Sequence, residues 1–407
     1  MNENEKKLLT VGEFAYCSKN PLIIAELGTS HNGDIKKARK LINAAFASGA
    51  GCVKVQMVYA DEILHPNTGE VPLPGGKIRL YDQFKALETP VEFYAEIKEY
   101  AESKGLLFLC TPFGLKSARI LKEIQPKIVK IASPELNFTG LLEEIAGWGL
   151  PVLLSSGVSR LSDIENAVEI FQNDISRRRT LLSVRDTEKQ RNEMSSTTGE
   201  QEFRHSRERA SICLLHCVTS YPAPETDYNL RVLPSLAAIF GVSVGVSDHS
   251  SDPELVPALA TAMGAAVIEK HFCLSKTDGG LDDPIAQPPE EFSRMAHAIR
   301  RAAEAGTRET IAYYSRERGE DFVNQILGNG VKELAPSEKA NYRLTNRSIH
   351  ALRDIAEGEI LKTGDYACLR TEKLLRPGLE PCWEKFIEGR TARNFIPAGE
   401  GIRFEDI

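Results

Sequence analysis

Val242-Ser243-Val244-Gly245-Val246-Ser247-Asp248-His249 and Ala265-Ala266-Val267-Ile268-Glu269-Lys270-His271 are two apolar runs, one helix-length apart, and each ends in a histidine. They close a series. Earlier apolar runs end in Glu26, in Lys54-Val55-Gln56, in Thr111, in Lys130 with Ser133 and Glu135, in Ser155-Ser156 and in His216. The eight candidate strands are 22–26, 52–57, 106–110, 127–132, 151–155, 211–216, 242–247 and 265–270. They are rich in Val, Ile and Leu, as parallel strands buried on both faces must be. Helical patterns alternate with them: 34–47, 90–103, 115–124, 138–147, 161–172, 228–239, 253–263 and 289–305. Pro and Glu open the second of these, and Gly49 and Gly105 follow the first two. Eight such units predict an α/β chain folded as a (β/α)8 TIM barrel, whose strand ends share one mouth. A doubly wound sheet would need a Gly-rich phosphate loop after an early strand, and none is present.

The rest of the 407 residues divides around that barrel. Residues 1–306 are expected to form the catalytic domain, 307–345 a charged helical linker, and 346–407 a compact β-rich unit with turns at Ala356-Glu357-Gly358, Pro377-Gly378 and Pro397-Ala398-Gly399. Segment 58–89, with three prolines and Gly75-Gly76, is long enough to be a lid or substrate loop. Segment 173–210 is dominated by Arg, Glu, Ser and Thr and reads as a solvated polar insertion, Arg177-Arg178-Arg179 included.

A net charge of −7 argues against a nucleic-acid-binding surface. Residues 1–7 lack the apolar core of a signal peptide, and no run approaches the roughly 18 apolar residues of a membrane span. The expected setting is the cytoplasm, away from membranes. Cys213 and Cys217 flank His216 but lack the second pair that a structural zinc site needs.

Three groups of strand-end residues carry chemistry. His249 and His271, on neighbouring strands, can share a divalent ion and leave positions open. Read singly, each would be an ordinary hydrogen-bonding histidine. Lys54 and Lys130, with Ser133, Ser155 and Ser247, suit a phosphate or carboxylate, with backbone amides near Gly157 completing the cradle. The competing reading of each lysine is a salt bridge, for which Glu269 is available. Glu26, Gln56, Glu135 and Asp282 suit a hydroxyl-rich ligand or proton transfer, although Glu135 could equally stabilise a helix N-terminus. Together they indicate a metal-assisted reaction that joins or cleaves an anionic substrate and a polyol.

The chain resembles the sialic acid synthase family. The resemblance lies in Ile24-Ala25-Glu26-Leu27-Gly28 with His31-Asn32-Gly33, Val53-Lys54-Val55-Gln56, Thr111-Pro112-Phe113, Lys130-Ile131-Ala132-Ser133 with Glu135, and Leu154-Ser155-Ser156-Gly157. It continues in His216-Cys217 with Tyr221-Pro222, Ser247-Asp248-His249 and Glu269-Lys270-His271-Phe272. At the end, Asn346-Arg347-Ser348-Ile349 and Leu375-Arg376-Pro377-Gly378 resemble the antifreeze-like (SAF) domain of that family. The resemblance implies condensation of phosphoenolpyruvate with an open-chain N-acylated mannosamine-type sugar. It implies a phosphoenolpyruvate site at Lys54, Thr111, Lys130, Ser133, Ser155 and Ser247. A divalent ion, Mn²⁺ before Mg²⁺ or Co²⁺, would sit on His249 and His271. Sugar contacts would come from Glu26, Gln56, Glu135, Tyr221 and Asp282. It further implies a domain-swapped homodimer in which Arg376 reaches the partner's site. Gly114 stands where the family often has an acidic residue, Thr219-Ser220 replace an amide, and the string around Asp282 differs. These departures leave N-acetylmannosamine, its 6-phosphate and the diacetamido-trideoxyhexoses all open as acceptors.

Overall fold

The computed structural model describes residues 8–73, 76–192 and 211–407. Its centre is a closed, all-parallel barrel in which each strand pairs with the next and β8 with β1. The strands are β1 (Leu22–Gly28), β2 (Cys52–Met57), β3 (Leu107–Pro112), β4 (Val129–Ile131), β5 (Val152–Ser155), β6 (Ile212–Cys217), β7 (Ser243–Asp248) and β8 (Val267–His271). The helices between and after them are α1 (Ile35–Ala47), α2 (Val91–Ser103), α3 (Leu115–Glu123), α4 (Thr139–Ala146), α5 (Leu161–Asn192), α6 (Val232–Phe240), α7 (Leu255–Ala262) and α8 (Pro289–Ala305). All sixteen expected elements are present, most within a residue or two of the expected bounds. Helix α5 is the exception: it continues to Asn192, so the stretch from 173 is helical where an irregular insertion was expected. The remainder of that insertion, 193–210, lies outside the described residues.

Alternation along each strand sorts its side chains. Outward residues such as Ile23, Ala25, Val53, Val55 and Ile268 pack against the helices. Inward residues form layers. The lowest layer is apolar: Ile24, Cys52, Leu109, Leu153, Leu215 and Val267. Two residues further along the same strands come Glu26, Lys54, Thr111, Ser155, Cys217 and Glu269. Gly245 has no side chain because a Cβ would meet the Val267 carbonyl oxygen at 2.4 Å. The N-terminal end of the barrel is closed by a hairpin, Leu9–Val11 against Phe14–Tyr16, whose Leu9 and Val11 join the apolar layer.

Segment 58–89 is ordered rather than irregular. It contains a helix at Ala60–Ile63, a hairpin of Glu70–Leu73 with Gly76–Arg79, and a helix at Leu80–Ala86. Val58, Ile63, Leu64, Val71 and Leu80 share an apolar cluster with Phe113. The connector holds α9 (Thr307–Arg318) and α10 (Glu320–Leu327). The C-terminal unit is built on β9 (Arg347–Ala351) and β10 (Tyr366–Arg370), paired antiparallel. It rests on the mouth of its own barrel, where His65 meets the Leu352 carbonyl and Asn67 donates to Ala398. Among the described residues no helix is long and apolar enough to cross a membrane.

Candidate active site

The inward layer above the apolar floor is ionic. Lys54 Nζ lies 3.0 Å from Glu26 Oε2 and 3.4 Å from Glu269 Oε1, and Lys130 Nζ lies 3.1 Å from the same Glu269 oxygen. Ser247 donates to Glu269 Oε1 at 2.8 Å, and Gln56 donates to Glu26 at 2.8 Å. The salt-bridge reading of the lysines is therefore realised, and it is compatible with the anion-binding reading, because two lysines share the one Glu269 oxygen. Glu269, expected as a salt-bridge partner for a lysine, serves both lysines at once. It alternates inward with His271, and that period of two was the signal for it.

The charges are unevenly held. Burial pushes the Glu26 carboxyl up to about 7, with Lys54 opposing and Glu269 reinforcing the rise. Glu269, although as deeply buried, is held well below the carboxylate range by Lys130 and Lys54. Burial lowers Lys130 despite Glu269. Burial thus favours the protonated form of Glu26, while the two lysines hold Glu269 ionised as their counter-charge.

Beside the lysines the hydroxyls of Thr111 and Ser155 are buried with no hydrogen-bond partner among the described residues. Unpaired buried hydroxyls are costly unless a ligand completes them. Ser133 Oγ accepts from Gly157 N at 3.0 Å. A Cβ on Gly157 would stand 2.2 Å from Thr219 Oγ1 and 2.9 Å from Ser133 Oγ. Gly157→Ala is accordingly expected to weaken binding of a phosphate-bearing ligand about tenfold, equivalent to about 1.4 kcal/mol. An unchanged dissociation constant by calorimetry would remove Gly157 from the cradle.

One layer higher, His249 and His271 lie with ring centroids 5.5 Å apart. His249 Nδ1 donates to the Val218 carbonyl at 2.9 Å and lies 3.6 Å from Cys217 Sγ; burial lowers this imidazole, but Cys217 outweighs it and pushes it up to about 9, so His249 must give up a proton before Nε2 can ligate. Burial lowers His271 to about 4, so its imidazole is neutral at pH 7 and able to ligate. No group of three His, Cys, Asp or Glu suited to a metal occurs among the described residues. An ion on this pair would therefore have to take its remaining ligands from water or substrate. Tyr221 covers it, its ring 4.3 Å from that of His249. Asp282 Oδ2 lies 3.8 Å from His271 Nδ1 on the rim. Glu26, Gln56 and Asp282 converge over Gly28, whose φ of +52° turns the chain out of β1.

One expectation is revised. Glu135 caps no helix and faces no open space: its Oε1 accepts from Arg347 and Arg370 of the C-terminal unit at 2.6–3.0 Å. Arg376 does not join this group; its guanidinium binds Gly401 O and Asp406 within its own unit. Arg370, which the sequence reading passed over, stands at the mouth instead, with its guanidinium over the Phe113 ring. The five residues between Arg370 and Arg376 turn the chain, with Glu372 and Lys373 at positive φ, and separate the two arginines. The Gly114 departure also has an explanation. Glu62 reaches across from segment 58–89, accepts from Lys116 N and Ser117 N at 2.5 and 2.9 Å, and occupies the space a side chain at 114 would need. The N-terminus of α3 keeps its carboxylate from another part of the chain.

A (β/α)8 barrel with two lysines, unpaired hydroxyls and two histidines at its mouth, covered by a small C-terminal β unit, belongs to the anion-handling synthase class of barrels. Residues 41–310 match the NeuB family, and residues 346–407 match the SAF domain. The chain belongs to the NeuB family. It is 31% identical to N,N'-diacetyllegionaminic acid synthase of Campylobacter jejuni, over 86% of this chain and 91% of that one. It is 29% identical to a pseudaminic acid synthase of the same species, over 98% and 99%. The crystal structure of the spore coat polysaccharide biosynthesis protein SpsE from Bacillus subtilis superposes with a TM-score of 0.74 at 28% identity, covering 98% of this chain and 99% of that one.

Proposed function

We propose that this enzyme condenses phosphoenolpyruvate with an open-chain 2-acetamido sugar, giving a nine-carbon 2-keto acid and phosphate. The observation that carries the reading is the inward layer of Lys54, Lys130, Thr111, Ser155 and Ser247, with two hydroxyls awaiting partners, directly below His249 and His271. The lysines and hydroxyls bind phosphate and carboxylate. Gln56, Asp282 and Tyr221 orient the sugar with its aldehyde towards the histidines. Carbon 3 of phosphoenolpyruvate forms the new C–C bond to the sugar's C1 as the aldehyde π bond breaks, and the resulting alkoxide takes a proton from solvent. Water adds to the cationic carbon 2, giving up its proton to Glu26, and the tetrahedral centre then expels phosphate by C–O cleavage. His249 and His271 would hold a divalent ion, Mn²⁺ before Mg²⁺ or Co²⁺, which would supply Lewis-acid polarisation. Lys54 and Lys130 stabilise charge in a mouth that the C-terminal unit shields from water.

N-acetylmannosamine-type acceptors and diacetamido-trideoxyhexoses stand level. The names of the relatives favour the second group, and the resemblance in the barrel motifs favours neither. The exposed rim at Asp282 and Tyr221 is where the two would be told apart. We further infer a homodimer with exchanged C-terminal units, in which the partner's unit takes the seat on Glu135 that this chain's own Arg347 and Arg370 occupy here. The setting is the cytoplasm, in keeping with eight free thiols. The test is incubation with phosphoenolpyruvate, Mn²⁺ and a panel of 2-acetamido sugars, following phosphate release and product mass. Phosphate released with one sugar, with the mass of a matching nine-carbon keto acid, is expected. Phosphoenolpyruvate that neither binds nor turns over would refute the reading.

A further inference from the structure

Directly before each candidate ligand stands one half of a buried ion pair. Asp248 precedes His249 and Lys270 precedes His271, and the two are register partners across β7 and β8. Their side chains point away from the mouth, and both are essentially inaccessible. Lys270 Nζ lies 2.5 Å from Asp248 Oδ2 and donates to Ser250 O at 2.8 Å, with Ser250 Oγ and Asp252 O at 3.4 Å. Asp248 Oδ1 accepts from Ser250 N at 2.8 Å. The lysine on β8 therefore grips both the end of β7 and the loop that leaves it, on either side of His249. From the other direction Tyr228 OH receives His249 N at 2.7 Å, and Arg318 of α9 ties Asp252 at 2.9 Å.

Buried pairs of this kind seldom add net stability, because desolvation offsets attraction. What this one supplies is geometry. A salt bridge between register partners sets how far apart two neighbouring strand ends stand, and here those ends carry His249 and His271. We propose that Asp248 and Lys270 are positioning residues: they hold the two imidazoles at the separation that a shared divalent ion requires. The inference rests on the metal reading above. Neither residue touches substrate, since both lie on the helix side of the barrel wall.

The test is a double variant, Asp248→Asn with Lys270→Met, which leaves no buried charge unpaired. Mn²⁺ binding is titrated by electron paramagnetic resonance, and Co²⁺ absorption reports ligand geometry. The expected result is a Mn²⁺ dissociation constant raised about ten- to a hundredfold, the usual effect of removing groups that orient ligands, with an altered Co²⁺ spectrum. Turnover should return towards the wild-type value at saturating Mn²⁺, with KM for phosphoenolpyruvate and Tm little changed. A merely structural pair would lower Tm and leave metal affinity alone, and that outcome overturns the proposal. His271→Ala is the reference for loss of the site. Wild-type protein that binds no divalent ion would sink the metal reading and the clamp together. Wild-type affinity in the double variant would sink the clamp only. Should the double variant fail to fold, Asp248→Asn alone is judged by the same titration.

Discussion

Glu26→Gln is expected to lower kcat by about 10² to 10⁴, the range for losing a positioned proton-transfer group, while phosphoenolpyruvate still binds. Gln keeps the shape and the hydrogen bond with Gln56 but cannot take a proton from water. The pH profile gives a second check. Burial raises the Glu26 carboxyl to about 7. As a base it must be ionised, so kcat/KM of the wild-type enzyme should climb from acid pH and level off above about 7. The variant should lose that limb. The stability effect has the opposite direction. A raised carboxyl pKa contributes stability that is full below its ordinary value of 4.5 and is lost as pH rises to about 7. Wild-type protein should therefore lose some Tm over that window where the variant does not. Retained turnover with an unaltered acid limb would assign the proton to another group.

Arg347→Ala is expected to cost about 3–5 kcal/mol at the seat of the C-terminal unit, the range for removing one member of a buried pair. The guanidinium is fully buried. It binds Glu135 and the backbone carbonyls of Glu62, Phe113 and Cys368, so one side chain gathers three parts of the chain around the mouth. Its loss strands three carbonyl oxygens and leaves Glu135 to Arg370 alone. Lys should rescue little, because one ammonium cannot reproduce the planar fork. The expected readouts are a lower Tm, faster proteolysis after α10 and a higher KM for the sugar. Wild-type values for all three would show that the unit is seated by other contacts. Mixing tests whether the seat is exchanged between subunits. Heterodimers of Glu26→Gln and Arg347→Ala chains contain one intact site if the units are swapped, and none if each covers its own barrel.

The legible parts share a cause. Strands buried on both faces must be written in Val, Ile and Leu, and the helices between them carry apolar residues at helical spacing. Eight repeats of that pattern leave little choice of architecture. Site residues were legible for the same reason, since a polar group at the end of an apolar run has nowhere to point but the mouth. Less legible was whatever depends on a partner far along the chain. Glu269 looked like a counter-ion, and only the closed barrel shows it shared by Lys54 from β2 and Lys130 from β4. The N-terminal hairpin escaped because three-residue strands carry too few alternations to register. Helix α5 beyond residue 172 escaped because its polar composition lacks an apolar stripe.

By itself, then, the sequence determined the barrel, its strand order and the residue types at its mouth, because period and polarity are local properties. Tertiary structure alone decided which of those residues meet. It put Arg347 and Arg370 on Glu135 and sent Arg376 to Asp406, although both Arg370 and Arg376 lie near the same motif. It let Glu62 stand in for a side chain missing at Gly114. It set Asp248 against Lys270 behind the histidines. Each of these contacts joins segments whose separation along the chain carries no information about their separation in space, and only the closure of the barrel and the docking of its cover bring them within reach.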